Sequence, residues 1–183
     1  MRVTETALSG VMVVEPKVFG DARGYFLETW QLERYANAGI PARFVQDNVS
    51  FSSHGVLRGL HLQHPNAQGK LVYVLAGEVV DAVVDVRVGS PTFGRAVTVE
   101  LSDSNRKQIY VPEGFAHGFC VTGSEALVAY KCTEPYRPEC EIGVAWNDPD
   151  LDIDWTLAEV TLSARDRAFP RLRDIPKAAL PTY

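Results

Sequence analysis

Short runs of β-branched and aromatic residues recur along most of the chain, and turn-forming residues separate them at close spacing. Val, Ile, Tyr and Phe favour strands, whereas Gly, Pro, Asn, Asp and Ser favour turns. The pattern predicts strands over residues 11–19, 43–51, 55–63, 70–87, 95–102, 107–121 and 125–132. Within the longest run, GEVVDAVVDVR alternates less regularly than a half-exposed strand would, which predicts that this segment belongs to the core.

Helical patterns are few and short. The stretch ETWQLERYANAG, residues 28–39, predicts one short helix with Gly39 as its stop. The tail over residues 162–180 predicts a short helix or turn that ends at prolines. Parallel strands need long crossover connections, usually helices, and no long helix separates these strands. We therefore predict one all-β domain over residues 1–183, a jelly-roll sandwich or barrel with a few short helices.

Composition narrows the class of protein. The 183 residues are 46% hydrophobic and 22% charged, which is typical of a globular chain. A net charge of −5 argues against a nucleic-acid surface. No apolar run approaches the roughly 20 residues of a membrane span, and the N-terminus lacks the apolar core of an export signal. Three cysteines without CxxC spacing predict a reduced, cytoplasmic protein.

Two histidine motifs raise the question of a metal site. Metal-binding cupin barrels combine an HxH pair and a following Glu with a PxGxxH motif, and PEGFAHGF supplies the second part through His117. The first part is altered: the residue that shares a strand face with His61 is Gln63, a poor ligand for transition metals. Lys70 stands near the place of the carboxylate ligand and would repel a cation. We therefore predict no metal at His61, with a metal-dependent cupin enzyme as the less favoured alternative.

Several polar residues lie among apolar ones where burial would be costly. Arg58, Lys70 and His117 need partners if they are buried with His61. Their convergence would form a pocket for an anionic ligand, although the pattern alone favours a core histidine whose nitrogens bond the backbone. Alternation in ALVAYKC turns Tyr130 inward, where its hydroxyl needs a partner. A structural hydrogen bond and a role as an acid both satisfy that need.

Eight stretches of the chain together resemble the dTDP-4-dehydrorhamnose 3,5-epimerase family. They are DARGYFLETW, FVQDNVSFS, GVLRGLHLQ, QGKLVYVLAGEVVDAVVDVR, SPTFG, YVPEGFAHGF, YKCTEPYRPECEIGVAWNDP and LSARD. They cover nearly the whole chain in the family's order and with similar spacing. Antibiotic-sugar pathways contain relatives that epimerise one carbon or act on another dTDP-ketosugar, so a single-carbon epimerase is the alternative. A non-catalytic sugar-nucleotide binder on the same barrel is a third hypothesis.

The resemblance implies a homodimeric enzyme with a jelly-roll (cupin-like) fold that uses neither metal nor cofactor. Its substrate would be the ketosugar dTDP-4-dehydro-6-deoxy-D-glucose, and its product dTDP-4-dehydro-L-rhamnose. A ketone at C4 makes the protons on C3 and C5 acidic, and inversion needs a base on one face and an acid on the other. Histidine suits the base because its ordinary pKa lies near neutrality. The enolate needs fixed positive charge near O4.

The resemblance also implies a role for each matching residue. His61 would be the general base, with Asp166 orienting it and Tyr130 acting as the acid. Lys70 would lie near the ketone oxygen. The residues implied to bind substrate are Phe19, Arg23, Glu28, Gln46, Asp47, Asn48, Arg58, His117, Tyr136, Glu141 and Arg165.

Three of these assignments carry further expectations. Arg58 would bind the diphosphate and Tyr136 would stack on thymine, while Arg165 replaces a lysine that is common in the family. The N-terminal segment with Arg23 could reach the pocket of a second subunit. Strict alternation places Arg58 and His61 on opposite strand faces, so their use in one site requires either a bulge nearby or Arg58 at the barrel mouth.

Overall fold

The structure is a computed structural model that describes residues 1–40 and 43–183. Its strands are β1 (Arg2–Glu5), β2 (Met12–Glu15), β3 (Val18–Asp21), β4 (Gly24–Leu27), β5 (Gln46–Ser53), β6 (Leu57–Gln63), β7 (Lys70–Asp85), β8 (Ala96–Ser102), β9 (Gln108–Val111), β10 (Phe115–Cys132) and β11 (Glu141–Gly143). The α-helices are α1 (Leu32–Asn37) and α2 (Ala164–Arg167), and 3-10 turns cover Pro138–Cys140, Leu172–Asp174 and Lys177–Ala179. None of the helices in these two ranges is long and apolar enough to cross a membrane.

Two long strands, β7 and β10, organise the sheets. They pair with each other along nearly their whole length, and every pairing between the named strands is antiparallel. The first half of β7 pairs with β9 and the second with β8, while β10 pairs first with β6 and then with β5. The long strands thus join one sheet that contains β1, β2, β9 and β5 to another that contains β8, β6 and β11. The predicted all-β jelly roll is confirmed.

Both faces of the second half of β7 are buried, as its irregular alternation predicted. Val83 faces the core between the two sheets, where it packs with Phe119. The neighbouring Val84 faces outward and is covered by the C-terminal segment, which supplies Trp155 and Leu172. The tail of short helical turns therefore closes an outer apolar layer over the sheet that carries β6 and β11. The layer fixes the position of α2 over β6.

Three predicted strand boundaries are wrong. The strand over residues 11–19 is divided at Pro16, because proline has no N–H to donate to a sheet ladder. The strand over residues 107–121 is likewise divided at Pro112. In contrast, the turn expected after Val121 does not end a strand: β10 continues through it with a shift in register. The long, bent strand is what allows β10 to contribute to both sheets.

The helix predicted over residues 28–39 forms as the shorter α1. Its N-cap is Gln31, whose side chain accepts a hydrogen bond from the N–H of Arg34. The fully buried Tyr35 anchors the helix by donating its hydroxyl to Gln108, 2.8 Å away. Gly39 follows with φ of +94°, a left-handed conformation that favours glycine, so the predicted stop is confirmed.

A bulge in β6 decides which way its polar side chains face. Opposite β10, His61 pairs with His117 and Arg58 pairs with Phe119, so three steps along β6 match two steps along β10. One extra residue therefore lies in β6, close to Gly59. Gly59 has φ of +140°, and a Cβ on it would lie 2.6 Å from the backbone of the facing strand, so a side chain cannot be accommodated.

The bulge brings Arg58 and His61 to one face. Both side chains line the same cavity, and Arg58 lies at its exposed rim with Nε donating to Ser52 Oγ at 2.9 Å. The side chains of Leu60 and Leu62 pack into the outer apolar layer, although Leu62 also borders the first of the two cavities described below. The conflict between strict alternation and a shared site is thus resolved by both features that the sequence suggested, a bulge and a position at the mouth.

Candidate active site

Two adjoining cavities of about 230 and 330 Å³ lie between the sheets. They share His61, Lys70, Tyr130, Tyr136 and Glu141. The first is also lined by Gln46, Asn48, Leu62, Gln63, Gln68 and Cys132, and the second by Ser50, Arg58, His117, Phe119, Ser163, Arg165 and Asp166. Eleven of the fifteen residues that the sequence assigned to the site therefore meet in one connected space.

His61 forms a histidine–carboxylate pair with Asp166. Its Nε2 lies 2.8 Å from Asp166 Oδ1, and the carboxylate is almost fully buried. The chain brings the two together across 105 residues, with α2 packed on β6. The N-cap Ser163 holds α2 by accepting the Asp166 N–H at 3.0 Å. With Nε2–H donated to Asp166, the other ring nitrogen, Nδ1, keeps its lone pair.

The protonation of His61 suits a base. Burial lowers the pKa of His61, and the hydrogen bond and charge of Asp166 oppose that shift. The imidazole therefore remains neutral at physiological pH, as a proton acceptor must be. Asp166 at the same time stabilises the imidazolium that forms when Nδ1 takes a proton.

Tyr130 reaches the cavities from the other sheet. It pairs with Asn48 on β5 and Val72 on β7, whereas His61 pairs with Gly143 on β11. The two side chains thus enter the same space from different walls. Burial raises the pKa of Tyr130, so that its hydroxyl keeps its proton at neutral pH. A protonated phenol opposite a neutral imidazole is an acid facing a base.

Lys70 supplies positive charge inside the cavities. It begins β7 and lines both of them. Burial lowers the pKa of Lys70, and the nearby Cys132, Glu141 and Asp81 partly offset this effect. A buried ammonium is screened little by water and therefore interacts strongly with any negative charge that develops beside it.

A second histidine–carboxylate pair lies in the second cavity. His117 Nε2 is 2.8 Å from Asp81 Oδ2, and Asp81 is completely buried. Burial raises the pKa of Asp81, against the opposing charge of His117 and of Lys70. Within residues 1–40 and 43–183, no group of three or more His, Cys, Asp or Glu side chains is arranged to hold a metal ion.

Glu141 connects the rim of the cavity to the wall that carries His61. Tyr136 donates its hydroxyl to Glu141 Oε2 at 2.5 Å, and Arg165 forms an ion pair with Oε1. The same Oε1 lies 3.9 Å from His61 Nδ1. The backbone N–H of Tyr136 donates to Gln46 Oε1 at 2.9 Å, which links the loop after β10 to β5.

Asp47 does not join the site that the resemblance implied for it. Its side chain is 71% exposed and accepts a hydrogen bond from Lys131 Nζ at 2.8 Å. Strand alternation turns Asp47 to the outer face of β5, whereas its neighbours Gln46 and Asn48 face the cavity. The alternation rule by itself would have separated these three residues.

Three further residues of the predicted set lie on or near the β3–β4 ribbon, outside the two cavities. Phe19 and Arg23 line a separate, open depression. The Arg23 side chain is 90% exposed and pairs with Asp21 of the same ribbon at 2.5 Å. Glu28 pairs with Arg34 of α1 at 3.0 Å. The chain by itself therefore leaves the ribbon apart from the catalytic cavity.

The sequence assigned no function to Phe169 or to seven residues that line the cavities, which are Ser50, Leu62, Gln63, Gln68, Phe119, Cys132 and Ser163. Gln63 shares the strand face of His61, and Cys132 follows two residues after the predicted acid, so alternation would have placed both in the cavity. Gln68 lies in the loop before β7, where no pattern indicates its direction. Phe169 packs against His61 from the C-terminal segment, and no sequence signal pointed to it.

All three cysteines are buried and free.

The fold is a cupin-like jelly roll, and its cavities bring together a histidine–carboxylate pair, a tyrosine and a buried lysine, an arrangement suited to an isomerase that moves protons. The family model described as dTDP-4-dehydrorhamnose 3,5-epimerase matches residues 5–174, and the chain belongs to this family.

Individual relatives match this chain over nearly its full length. The dTDP-4-dehydrorhamnose 3,5-epimerase of Methanothermobacter thermautotrophicus is 48% identical over 178 residues, 96% of each chain. A crystal structure of dTDP-6-deoxy-D-glucose-3,5-epimerase from Legionella pneumophila, in complex with dTDP-4-keto-L-rhamnose, is 50% identical with a TM-score of 0.97, and the match covers 100% of this chain and 98% of that one. A dTDP-4-dehydrorhamnose 3-epimerase of Streptomyces niveus is 41% identical over 186 residues, 100% of this chain and 90% of the relative.

Proposed function

We propose that the chain converts dTDP-4-dehydro-6-deoxy-D-glucose to dTDP-4-dehydro-L-rhamnose by inverting C5 and C3. The observation that carries this proposal is the meeting of His61–Asp166, Tyr130 and Lys70 in one connected cavity. Membership of the family and the product complex of the Legionella relative support the same substrate class.

The proposed reaction removes one proton from C5 and returns another to its opposite face. His61 Nδ1 takes the proton from C5, and the electron pair of the C–H bond forms a C4–C5 double bond while O4 becomes an enolate oxygen. The ammonium of Lys70 stabilises that charge in a largely enclosed site. Tyr130 then donates its proton to C5 from the opposite face, which restores the C4 ketone with inverted configuration. Solvent returns a proton to the phenolate and removes one from the imidazolium before the cycle repeats at C3.

The polar rim is assigned to the nucleotide. Arg58 and Arg165 lie on the second cavity and offer planar, multiple donors that suit a diphosphate. The half-exposed ring of Tyr136 offers a face on which thymine can stack. Gln46 and Asn48 present amides at the same end of the first cavity. His117 and Glu141 complete the set of polar groups in reach of the sugar.

The test is NMR of the ketosugar with the purified protein in deuterated buffer. Both C5 and C3 should take up deuterium, at rates that a chelator leaves unchanged, because His61 and Tyr130 exchange their protons with solvent. dTDP-glucose, which has no ketone, serves as the matched control and should remain unlabelled. Uptake at one carbon alone would favour the single-carbon activity named for the Streptomyces niveus relative. Absence of uptake at both carbons would contradict an epimerase.

A homodimer is part of the proposal, because apolar side chains stand exposed on β5 and on the ribbon. Val49 and Phe51 on β5 are 61% and 58% exposed, and Phe26 on β4 is 69% exposed. Exposed apolar clusters of this kind commonly mark protein interfaces. A second subunit would cover them and could bring Phe19, Arg23 and Glu28 to its neighbour's cavity.

Light scattering should give twice the mass of one chain for the wild type. Val49→Asp should shift the mass toward the monomer, because a charge on that face opposes burial. Leu32→Asp, at a similarly exposed apolar position on α1, is the control and should leave the mass unchanged. A wild-type monomer at micromolar concentration would contradict the dimer.

A further inference from the structure

The ring of Phe169 lies against His61, although Phe169 lines neither cavity. The two ring centroids are 5.5 Å apart and the ring planes are nearly perpendicular, at 87°. Edge-to-face packing of this kind is a favoured arrangement of aromatic rings. The Phe169 ring therefore restrains the plane of the imidazole without lining either cavity.

A glycine makes room for this ring. Gly143 on β11 is the direct cross-strand partner of His61, so a side chain at 143 would stand beside the imidazole. A Cβ there would lie only 2.2 Å from carbon atoms of the Phe169 ring. The ring thus occupies the place that a cross-strand side chain would otherwise take.

The segment that carries Phe169 is held on both sides. Before it, Asp166 is bonded to His61 and to the helix cap. Immediately after it, the carbonyl of Pro170 accepts the N–H of Ala145, 2.8 Å away, on the continuation of β11. A side chain between two such anchors has a defined position.

We propose that Phe169 is a positioning residue for His61: seated over Gly143, its ring shields the imidazole from water and holds the plane in which Nδ1 faces the substrate. This inference rests on the proposed function of His61 as the base. The consequence is kinetic, because a base that is displaced or rotated loses its near-attack geometry while substrate binding is retained.

The charged and titratable groups around His61 are Asp166 from α2, Glu141 from β11, Lys70 from β7, His117 from β10 and, through its ion pair with Glu141, Arg165. A substitution of Phe169 keeps the charge of each of these groups, although it removes the ring over which the Arg165 guanidinium lies at 5.9 Å. Burial lowers the pKa of His61, so removal of the shielding ring raises that pKa. Since the base must be neutral, the acidic limb of the activity profile then moves to higher pH.

We expect Phe169→Ala to lower kcat by about tenfold while KM changes by less than about twofold. The acidic limb of kcat should move to higher pH, an effect that a merely structural role would not produce. Phe169→Leu, which retains apolar volume, should have a kcat and an acidic limb that lie between those of Phe169→Ala and those of the wild type. Thermal unfolding of each variant establishes that it is folded.

Gly143→Ala provides an independent approach, because its methyl group forces the Phe169 ring away from His61. As a single substitution, Gly143→Ala should lower kcat and move the acidic limb to higher pH, as Phe169→Ala does. In the Phe169→Ala background, where no ring remains to displace, the same substitution should cost less than about twofold, so the two effects are not additive. Additive effects would overturn the proposal.

The decisive measurement does not need turnover. Titration of the His61 imidazole by NMR, without substrate, should give a higher pKa in Phe169→Ala than in the wild type. An unchanged pKa together with an unchanged kcat would overturn the role of Phe169. If the wild type itself catalyses no exchange, the proposed function fails, whereas the titration still decides whether Phe169 controls His61.

Discussion

His61→Ala should abolish deuterium uptake at both C5 and C3 and lower kcat/KM for the ketosugar by roughly 10²- to 10⁴-fold. The imidazole, held by the Asp166 carboxylate, is the proposed base, and alanine provides no proton acceptor in its place. Binding of dTDP measured by calorimetry should change little, because the nucleotide is assigned to the rim rather than to this wall. The measurement is proton exchange by NMR beside steady-state kinetics.

The chain offers a control three residues away. His64 lines neither of the two cavities, so His64→Ala should exchange and turn over as the wild type does. Added imidazole should restore part of the lost exchange in His61→Ala if the cavity left by the side chain admits it. Wild-type exchange rates in His61→Ala would remove the proposed base and with it the mechanism.

Tyr130→Phe should separate exchange from inversion. The substitution removes one oxygen and leaves His61 intact, so the base can still take a proton from C5 and return one to the same face. Label should therefore continue to enter recovered substrate, while formation of inverted product falls by about 10²-fold. NMR of the sugar distinguishes the two outcomes, since recovered substrate and inverted product have different ring couplings.

Tyr110→Phe is the matched control. Tyr110 is a buried tyrosine on β9 that lines neither cavity, and burial raises its pKa to about 12, so it also keeps its proton. Its replacement should leave both label uptake and inversion unchanged. Normal inversion at both carbons in Tyr130→Phe would show that another group delivers the second proton.

Much of the fold could be predicted from local pattern. Runs of Val, Ile, Tyr and Phe between short turns specify antiparallel strands, and the irregular alternation of β7 correctly indicated two buried faces. The errors arose at Pro16 and Pro112, where a missing N–H divided expected strands, and after Val121, where a turn-like sequence bends one strand instead of ending it. Hydrophobic pattern cannot distinguish a bend from a break, because both leave the flanking residues apolar.

For the site, the resemblance and strand alternation each predicted a different part. The resemblance indicated His61, Asp166, Tyr130 and Lys70, and strand alternation alone would have turned Asp47 outward and Gln63 inward. The bulge beside Gly59 needed the register of the facing strand, although the difficulty it resolves was visible in the sequence.

By itself the sequence determined an all-β chain, its strand-forming segments and, through resemblance, the family's set of acid, base and cation. Only the tertiary structure decided the geometry of the Asp166–His61 contact that the resemblance implied, the contact of His117 with Asp81, and the packing of Phe169 over Gly143. The physical reason is distance along the chain: strand register and the packing of the C-terminal segment join residues from 26 to 105 positions apart. Local propensity contains no information about such pairs.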